Sequence, residues 1–317
     1  MSFGRSDRPS SERPILVTGS HRSGSTFVGR MLAAARHTGY MHEPLNPQLG
    51  VRGVDRWFPY VRAGMPHEER YRGIFQRILQ GRVRWKPRTS GEPGPARRLA
   101  RALFGSGDRL RYLLSTRLPG RRRLIWKDPF ACLASEYLHR EMGLDVVILV
   151  RHPAAFAMSL ARLDWSLGFK VFRDQPLLMR DYLDPVLEGM RASQMDIMEE
   201  ASVLWRCIYT VVADYARRNP EMVLVRLEDI SMSPVERFQG LFDGFGLGMT
   251  PRVRKRIRRL TAASNPVAAD TGEVHQMARS SRQLAYRWQD ELDEESKALI
   301  RRRTEPLVSR FYPEDVW

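Results

Sequence analysis

Between residues 19 and 26 the chain reads Gly19-Ser-His-Arg-Ser-Gly24-Ser25-Thr26, a glycine- and serine-rich turn holding one cation, Arg22. It follows the apolar run Ile15–Thr18, which suits a buried strand, and precedes a helical pattern from Thr26 to about Arg36. Strand, glycine-rich turn and helix start, in that order, make an anion site: backbone N–H groups and a helix N-terminus converge on one phosphate. The glycine spacing is that of a nucleotide-binding loop. Ser25, however, stands where such a loop has the lysine that grips the β- and γ-phosphates beside magnesium. The chemistry indicated is therefore a site for a single 5′-phosphate, with the N–H groups of Ser23, Gly24, Ser25 and Thr26 around it and Arg22 facing what it carries. A turn that merely opens a helix is the plain alternative for this motif taken alone.

Other groups are spaced to reach the same level. A helix over Thr26–Arg36 carries the chain about 16 Å away at 1.5 Å per residue, and His37–His42, if extended, return it by about 20 Å. Glu43, in His42-Glu-Pro44, then comes back beside the loop. Lys127 (Trp126-Lys-Asp-Pro129) ends one expected strand, and Arg151 (Val150-Arg-His-Pro153) ends another, with Ser159 eight residues on. Open α/β sheets bind ligands outside the carboxyl ends of their strands. A carboxylate there suits a general base, and cations suit the stabilisation of developing negative charge. Each has a bland alternative: Glu43 bracing the loop, Lys127 pairing with Asp128, Arg151 and Ser159 belonging to an ordinary helix start. His21, His42 and His152 flank these residues without metal-ligand spacing. Trp205-Arg-Cys207-Ile-Tyr209 reads as the packed face of a helix, and Trp57, Phe58 and Tyr60 as rings able to stack on a sugar or to pack.

The elements that must position these groups alternate. Strands are expected at Ile15–Thr18, Leu124–Trp126, Val146–Val150 and Met222–Val225. Helical patterns cover Ala131–Met142, Ala154–Leu163, 186–218, Pro234–Gly246 and Glu294–Arg310. Alternation of this kind predicts an α/β fold, a P-loop-like, mostly parallel sheet flanked by helices, as one domain with insertions. Residues 1–13 read as a flexible polar arm and 14–317 as the domain. Residues 46–123 form a variable, partly basic insertion on the expected acceptor side, rich in breakers and arginine over 80–123.

The chain has 317 residues, with 52 Lys and Arg against 36 Asp and Glu for a formal charge of +16, and only five of the cations are lysine. Such a field favours anionic partners, although a solvated arginine surface explains much of it. Two cysteines are too few for a disulfide framework or a four-ligand zinc site. No apolar run approaches the roughly 18 residues of a membrane span, and the polar N-terminus lacks the core of a signal peptide. A cytoplasmic protein is expected.

The motifs as a set resemble a known family. Arg22-Ser-Gly-Ser-Thr-Phe27 with Gly29, then His42-Glu-Pro44, is similar to the opening of carbohydrate 6-O-sulfotransferases. Trp126-Lys-Asp-Pro-Phe130, and the 21-residue spacing from Arg22 to Glu43, look like tyrosylprotein sulfotransferases. Val150-Arg-His-Pro153 with Ser159 resembles the 3′-phosphate motif of the superfamily, and Arg226-Leu-Glu-Asp-Ile230 its late strand-to-helix turn. The resemblance covers about residues 14–45 and 124–245, and more weakly Arg279–Trp288, whose Arg279–Arg282 would close over the nucleotide.

It implies 3′-phosphoadenosine 5′-phosphosulfate (PAPS) as co-substrate, with no metal. Arg22, Ser23, Gly24, Ser25, Thr26, Arg151 and Ser159 would bind it, and Glu43, Lys127 and Arg22 would be catalytic. Residues 46–123 and 166–200 match no one subfamily. The acceptor expected is a hydroxyl on a carbohydrate or glycosylated metabolite, with a phenolic or tyrosyl hydroxyl as the alternative. A P-loop kinase and a basic nucleic-acid-binding protein are more distant rivals. The first lacks the Lys-Ser/Thr pair after Gly24, and the second gives no reason for Glu43 and Lys127 at strand ends.

Overall fold

The computed structural model describes residues 12–86, 123–262, 264, 281–313 and 317. The expectations for most of the polar arm, for most of the basic stretch 80–123, and for Arg279 and Ser280 fall outside those residues. Five strands, β1 (Ile15–Gly19), β2 (Thr38–His42), β3 (Arg123–Lys127), β4 (Asp145–Val150) and β5 (Val223–Arg226), form one parallel sheet in the order β2-β3-β1-β4-β5. With helices on both faces, this is the α/β architecture read from the alternation.

Side-chain alternation assigns the two faces. Ile15, Val17, Tyr40, Ile125, Val147 and Leu149 point to one, and Leu16, Met41, Trp126, Val146, Ile148 and Val150 to the other; all are buried. The first face is covered by α1 (Ser25–Leu32) and, much later in the chain, by α6 (Leu227–Met232), α7 (Pro234–Gly244) and α8 (Pro251–Thr261). The second is covered by α2 (Glu68–Leu79), a 3-10 turn (Pro129–Ala134) leading into α3 (Ser135–Arg140), α4 (Pro153–Ala161), and the 22-residue α5 (Ile197–Arg218). Two C-terminal helices, α9 (Ser281–Glu291) and α10 (Glu294–Thr304), add Trp288 and Ile300 to that second layer.

Several boundaries move for local reasons. The helix expected to run to Arg36 stops at Leu32, where the Thr38 hydroxyl donates to the carbonyls of Ala33 (3.0 Å) and Ala35 (2.8 Å). The pattern over 186–218 is broken: a short helix ends at Leu187, a 3-10 turn spans Ala192–Gln194, and the long helix begins at Ile197. There the Asp196 carboxylate accepts the Glu199 N–H at 2.8 Å and caps α5. Ala131–Met142 divides because Asp128 caps a 3-10 turn first. The basic run Arg252–Arg259, read as part of a mixed tail, is helix α8, with Val253, Ile257 and Leu260 turned inward.

Helix α2 lies in a stretch where no element was expected. Its Tyr71, Ile74, Phe75 and Ile78, at helical spacing, are buried. They pack in the same core as Trp126 and Tyr137. Removing that contact tests whether the segment after β2 folds with the sheet. Phe75→Ala should cost about 3–5 kcal/mol and leave a single cooperative thermal transition. An early, separate transition would show residues 46–86 to be an independent unit.

Candidate functional site

The loop between β1 and α1 is built on backbone conformations few residues tolerate. Gly19 has φ +134°, and a Cβ there would stand 2.3 Å from the Leu149 carbonyl oxygen, so the loop can leave β1 against β4 only through glycine. Arg22 (φ +62°) and Gly24 (φ +86°) are both left-handed, which turns the chain sharply into α1. The Val28 N–H bonds to the Gly24 carbonyl at 3.1 Å. The amides of Ser25, Thr26 and Phe27 come before that first helical bond and face outward at the helix end. Ser23 Oγ is fully buried with no hydrogen-bond partner among the described residues. The Ser23 N–H, expected to face the anion, donates instead to the Ser20 carbonyl at 3.2 Å, so an anion in the loop would meet the Ser23 hydroxyl and the amides at the start of α1.

At the ends of β2 and β3 the structure pairs two expected residues. Lys127 Nζ donates to Glu43 Oε1, and the two side chains are only 3% and 7% exposed. The Glu43 N–H also donates to the Lys127 carbonyl at 2.7 Å. Glu43 sits at φ +46°, with the His42 ring 3.7 Å away and held by Tyr40 (hydroxyl to Nδ1, 3.0 Å). Helix α1 crosses directly over this pair. A Cβ on Gly29 would lie 3.0 Å from Lys127 Cβ, so the small residue lets the helix close on the lysine stem.

Lys127 therefore does not pair with Asp128, the alternative left open by the sequence. Asp128 is fully buried and binds backbone: it accepts the Leu45 N–H at 2.7 Å and the Phe130 N–H at 3.0 Å. Its own N–H donates to Val17 and its carbonyl accepts from the Thr18 hydroxyl. Burial and the Glu43 charge push its carboxyl up to about 7.

On the other side of the loop Arg22, Ser159 and Arg151 meet. Arg22 Nε donates to Ser159 Oγ at 3.2 Å, and Arg151 Nη1 donates to the Arg22 carbonyl at 3.1 Å. Three residues the sequence reading passed over or took as packing hold this arrangement. The Trp205 indole donates to the Arg151 carbonyl at 2.9 Å, and the Tyr209 hydroxyl donates to the Leu149 carbonyl at 2.8 Å while contacting Ser20 at 3.0 Å. The Glu228 carboxylate accepts the His152 N–H at 2.9 Å and the Tyr312 hydroxyl at 2.8 Å. The polar tips of a buried helix face were the available signal for Trp205 and Tyr209. Glu228 gave none beyond its place in the late strand-to-helix turn.

Of the expected stacking rings, Phe58 is wholly buried and Tyr60 nearly so, its hydroxyl donating to Asp181 at 2.9 Å, while Trp57 packs edge-on against Phe130. Phe58 and Tyr60 offer no open platform. Arg282 lies on the exposed first turn of α9. Among the described residues no group of three or more His, Cys, Asp or Glu could hold a metal ion, and no helix is long and apolar enough to cross a membrane.

No family model and no curated protein matches this chain. Among solved structures it is similar to the sulfotransferase domain from the curacin biosynthetic pathway (TM-score 0.45, 17% identity, covering 90% of this chain and 95% of that one). It is also similar to the sulfotransferase domain of the Synechococcus PCC 7002 olefin synthase (0.42, 18%, covering 95% and 97%). A third is mouse sulfotransferase SULT7A1 complexed with PAP (0.38, 13%, covering 96% and 87%). At such identities the chemistry rests on the residues themselves.

The buttress makes a pH prediction. Burial and the Arg151 charge lower His152 to about 3, and the ring stacks on Trp288 with centroids 4.3 Å apart. Between about pH 3 and 6.5 the folded protein binds fewer protons here than the unfolded chain. Its stability contribution is thus complete above pH 6.5 and is lost as pH falls. His152→Phe keeps a ring for stacking but loses the Nδ1 cap on the Ala154 N–H. It should lower stability at pH 7 by about 1 kcal/mol yet flatten the acid loss by up to about 1.4 kcal/mol per pH unit. Denaturant titrations at pH 4.5, 5.5 and 7 check both; an unchanged acid slope would refute the assignment.

Proposed function

We propose that this protein transfers a sulfuryl group from PAPS to an acceptor hydroxyl. The observation that carries the reading is Arg151 in contact with Arg22 of the loop, where the Ser23 hydroxyl has no partner among the described residues, together with the Lys127–Glu43 pair packed against Gly29 of the helix that the loop opens. The donor is doubly anionic chemistry: a 5′-phosphosulfate and a 3′-phosphate. The loop amides and Ser23 suit the first, Arg151 and Ser159 the second, and Gly24, Ser25 and Thr26 open the helix that faces the 5′-phosphate.

In the transfer, a bond forms from the acceptor oxygen to sulfur as the bond from sulfur to the 5′-phosphate oxygen breaks. Glu43 takes the acceptor's hydroxyl proton, from a position fixed by its contact with Lys127. Lys127 and Arg22 face the negative charge building on the sulfuryl and departing phosphate oxygens. Arg22 Nε donates to Ser159 Oγ in this structure, which ties the loop cation to the residue suited to the 3′-phosphate. Kinase chemistry is disfavoured by Ser25 at the lysine position.

For the acceptor, the Arg22–Phe27 and His42–Pro44 resemblance favours a hydroxyl of a carbohydrate or glycosylated metabolite. A phenolic or tyrosyl hydroxyl is the second reading, favoured by the rings gathered beside the loop around His21.

PAP should raise the melting temperature where ATP with magnesium does not, because only a ligand that binds the folded state stabilises it. Arg151→Ala and Ser159→Ala should each weaken PAP binding measured by calorimetry; unaltered affinity in both would remove the 3′-phosphate assignment. Glu43→Gln should retain PAPS binding and lose on the order of 10²–10⁴-fold in transfer rate. A near-normal rate would leave Glu43 as the brace of Lys127 and no more.

A further inference from the structure

One polar side chain beside the loop is left without work by everything above. His21 directly precedes Arg22, is 4% exposed, and has no hydrogen-bond partner at either Nδ1 or Nε2 among the described residues. Buried imidazoles are ordinarily satisfied at one nitrogen at least, because an unmet donor or acceptor in an apolar setting is costly. Three rings surround this one: Trp165 at 4.8 Å, Phe156 at 5.1 Å and Phe58 at 5.9 Å between centroids.

The origin of those rings matters. Phe58 lies on the segment that follows Glu43 and itself touches Phe130, three residues beyond Lys127. Phe156 belongs to α4, which opens just after Arg151. Two of the walls around His21 thus follow Glu43 and Arg151 in the chain.

Two of the rings, Phe58 and Phe156, are fully buried, whereas Trp165 is only partly so. Trp165 covers the imidazole from a short loop bounded by Asp164 (φ +48°) and Gly168 (φ +63°). That loop's backbone is pinned by the Glu200 carboxylate, which accepts the Leu167 N–H at 3.0 Å, the Gly168 N–H at 2.8 Å and the Ser166 hydroxyl. The indole can turn aside while the backbone stays.

We propose that His21 is a specificity-determining residue of this site: its two unused nitrogens hydrogen-bond a polar substituent of an acceptor bearing an aromatic ring, which takes the place of the Trp165 indole over the imidazole. Burial and the neighbouring Arg22 charge lower the ring to about 3, so it stays neutral near pH 7, with one nitrogen donating and the other accepting. It is no substitute for Glu43 as a base. The inference rests on the sulfuryl-transfer reading and narrows its acceptor to aryl compounds, free phenols or aryl glycosides alike.

The test uses the full chain as wild type, His21→Leu and His21→Gln. Leucine fills a similar volume without polar atoms; glutamine keeps a donor and an acceptor. If the nitrogens are kept unpaired for a substrate, His21→Leu without ligand is more stable than wild type, by roughly 2–4 °C in melting temperature. An equal or lower melting temperature overturns the proposal, whether or not an acceptor has been found.

PAP binding should be the same in all three proteins. Transfer from PAPS is then followed with 2-naphthol, 2-naphthyl β-D-glucoside and glucose as probes. The wild type should act on at least one naphthyl compound in preference to glucose, and His21→Leu should raise its KM about 10–100-fold with a smaller change in kcat. His21→Gln should recover part of the loss. The position of the new sulfate, on the naphthol oxygen or on the sugar, separates the two sources. Equal KM values in wild type and His21→Leu, or preference for glucose, refute the role of His21. A wild type that neither binds PAP nor transfers sulfate refutes the underlying reading instead, and the melting-temperature comparison still decides on His21.

Discussion

The site hangs on a buried carboxylate that performs no chemistry. Asp128 follows β3 and ties three segments together: β1 through its own peptide group, which bonds the Val17 carbonyl and the Thr18 hydroxyl, Leu45 beyond β2 through one carboxylate oxygen, and Phe130 through the other. Because the Leu45 amide is tied to Asp128, the turn through Glu43 takes its left-handed conformation and lays the carboxylate on Lys127. A full charge removed from water is disfavoured, and the upward shift to about 7 is that penalty made visible. The backbone bonds offset it by specifying one geometry for two strand exits.

The same logic, polar groups spent on backbone rather than on one another, recurs across the sheet. Glu228 fixes the turn after β4 through the His152 amide, and Tyr209 and Trp205 take the carbonyls on either side of Val150. Arg151 donates to the Arg22 carbonyl, Arg22 to the Ser159 hydroxyl, and Lys127 to the Glu43 carboxylate.

The loop itself illustrates how little of a site needs side chains. Gly19, Arg22 and Gly24 take unusual φ values, and their effect is to aim backbone N–H groups at one point. His21, carried along by this turn, is pressed among rings with its nitrogens unmet.

What the sequence determined by itself was local and periodic. Short apolar runs marked β1, β3, β4 and β5, and the glycine spacing marked the anion loop; an extended return after α1 was expected to bring Glu43 back beside it, although α1 stops four residues earlier than that arithmetic assumed. The pairing of partners was decided only in three dimensions. Lys127 has Asp128 next to it in sequence, yet adjacent strand residues point to opposite faces, so its ammonium meets Glu43 from the neighbouring strand, 84 residues away. Helix α2 and the particular carbonyls that Trp205 and Tyr209 bind were likewise invisible in one dimension, whereas the packing of Phe58 and Tyr60 was one of the two readings their residue types allowed. A residue type and its spacing state what a side chain can do, whereas its partners come from chain segments that only the packed sheet brings together.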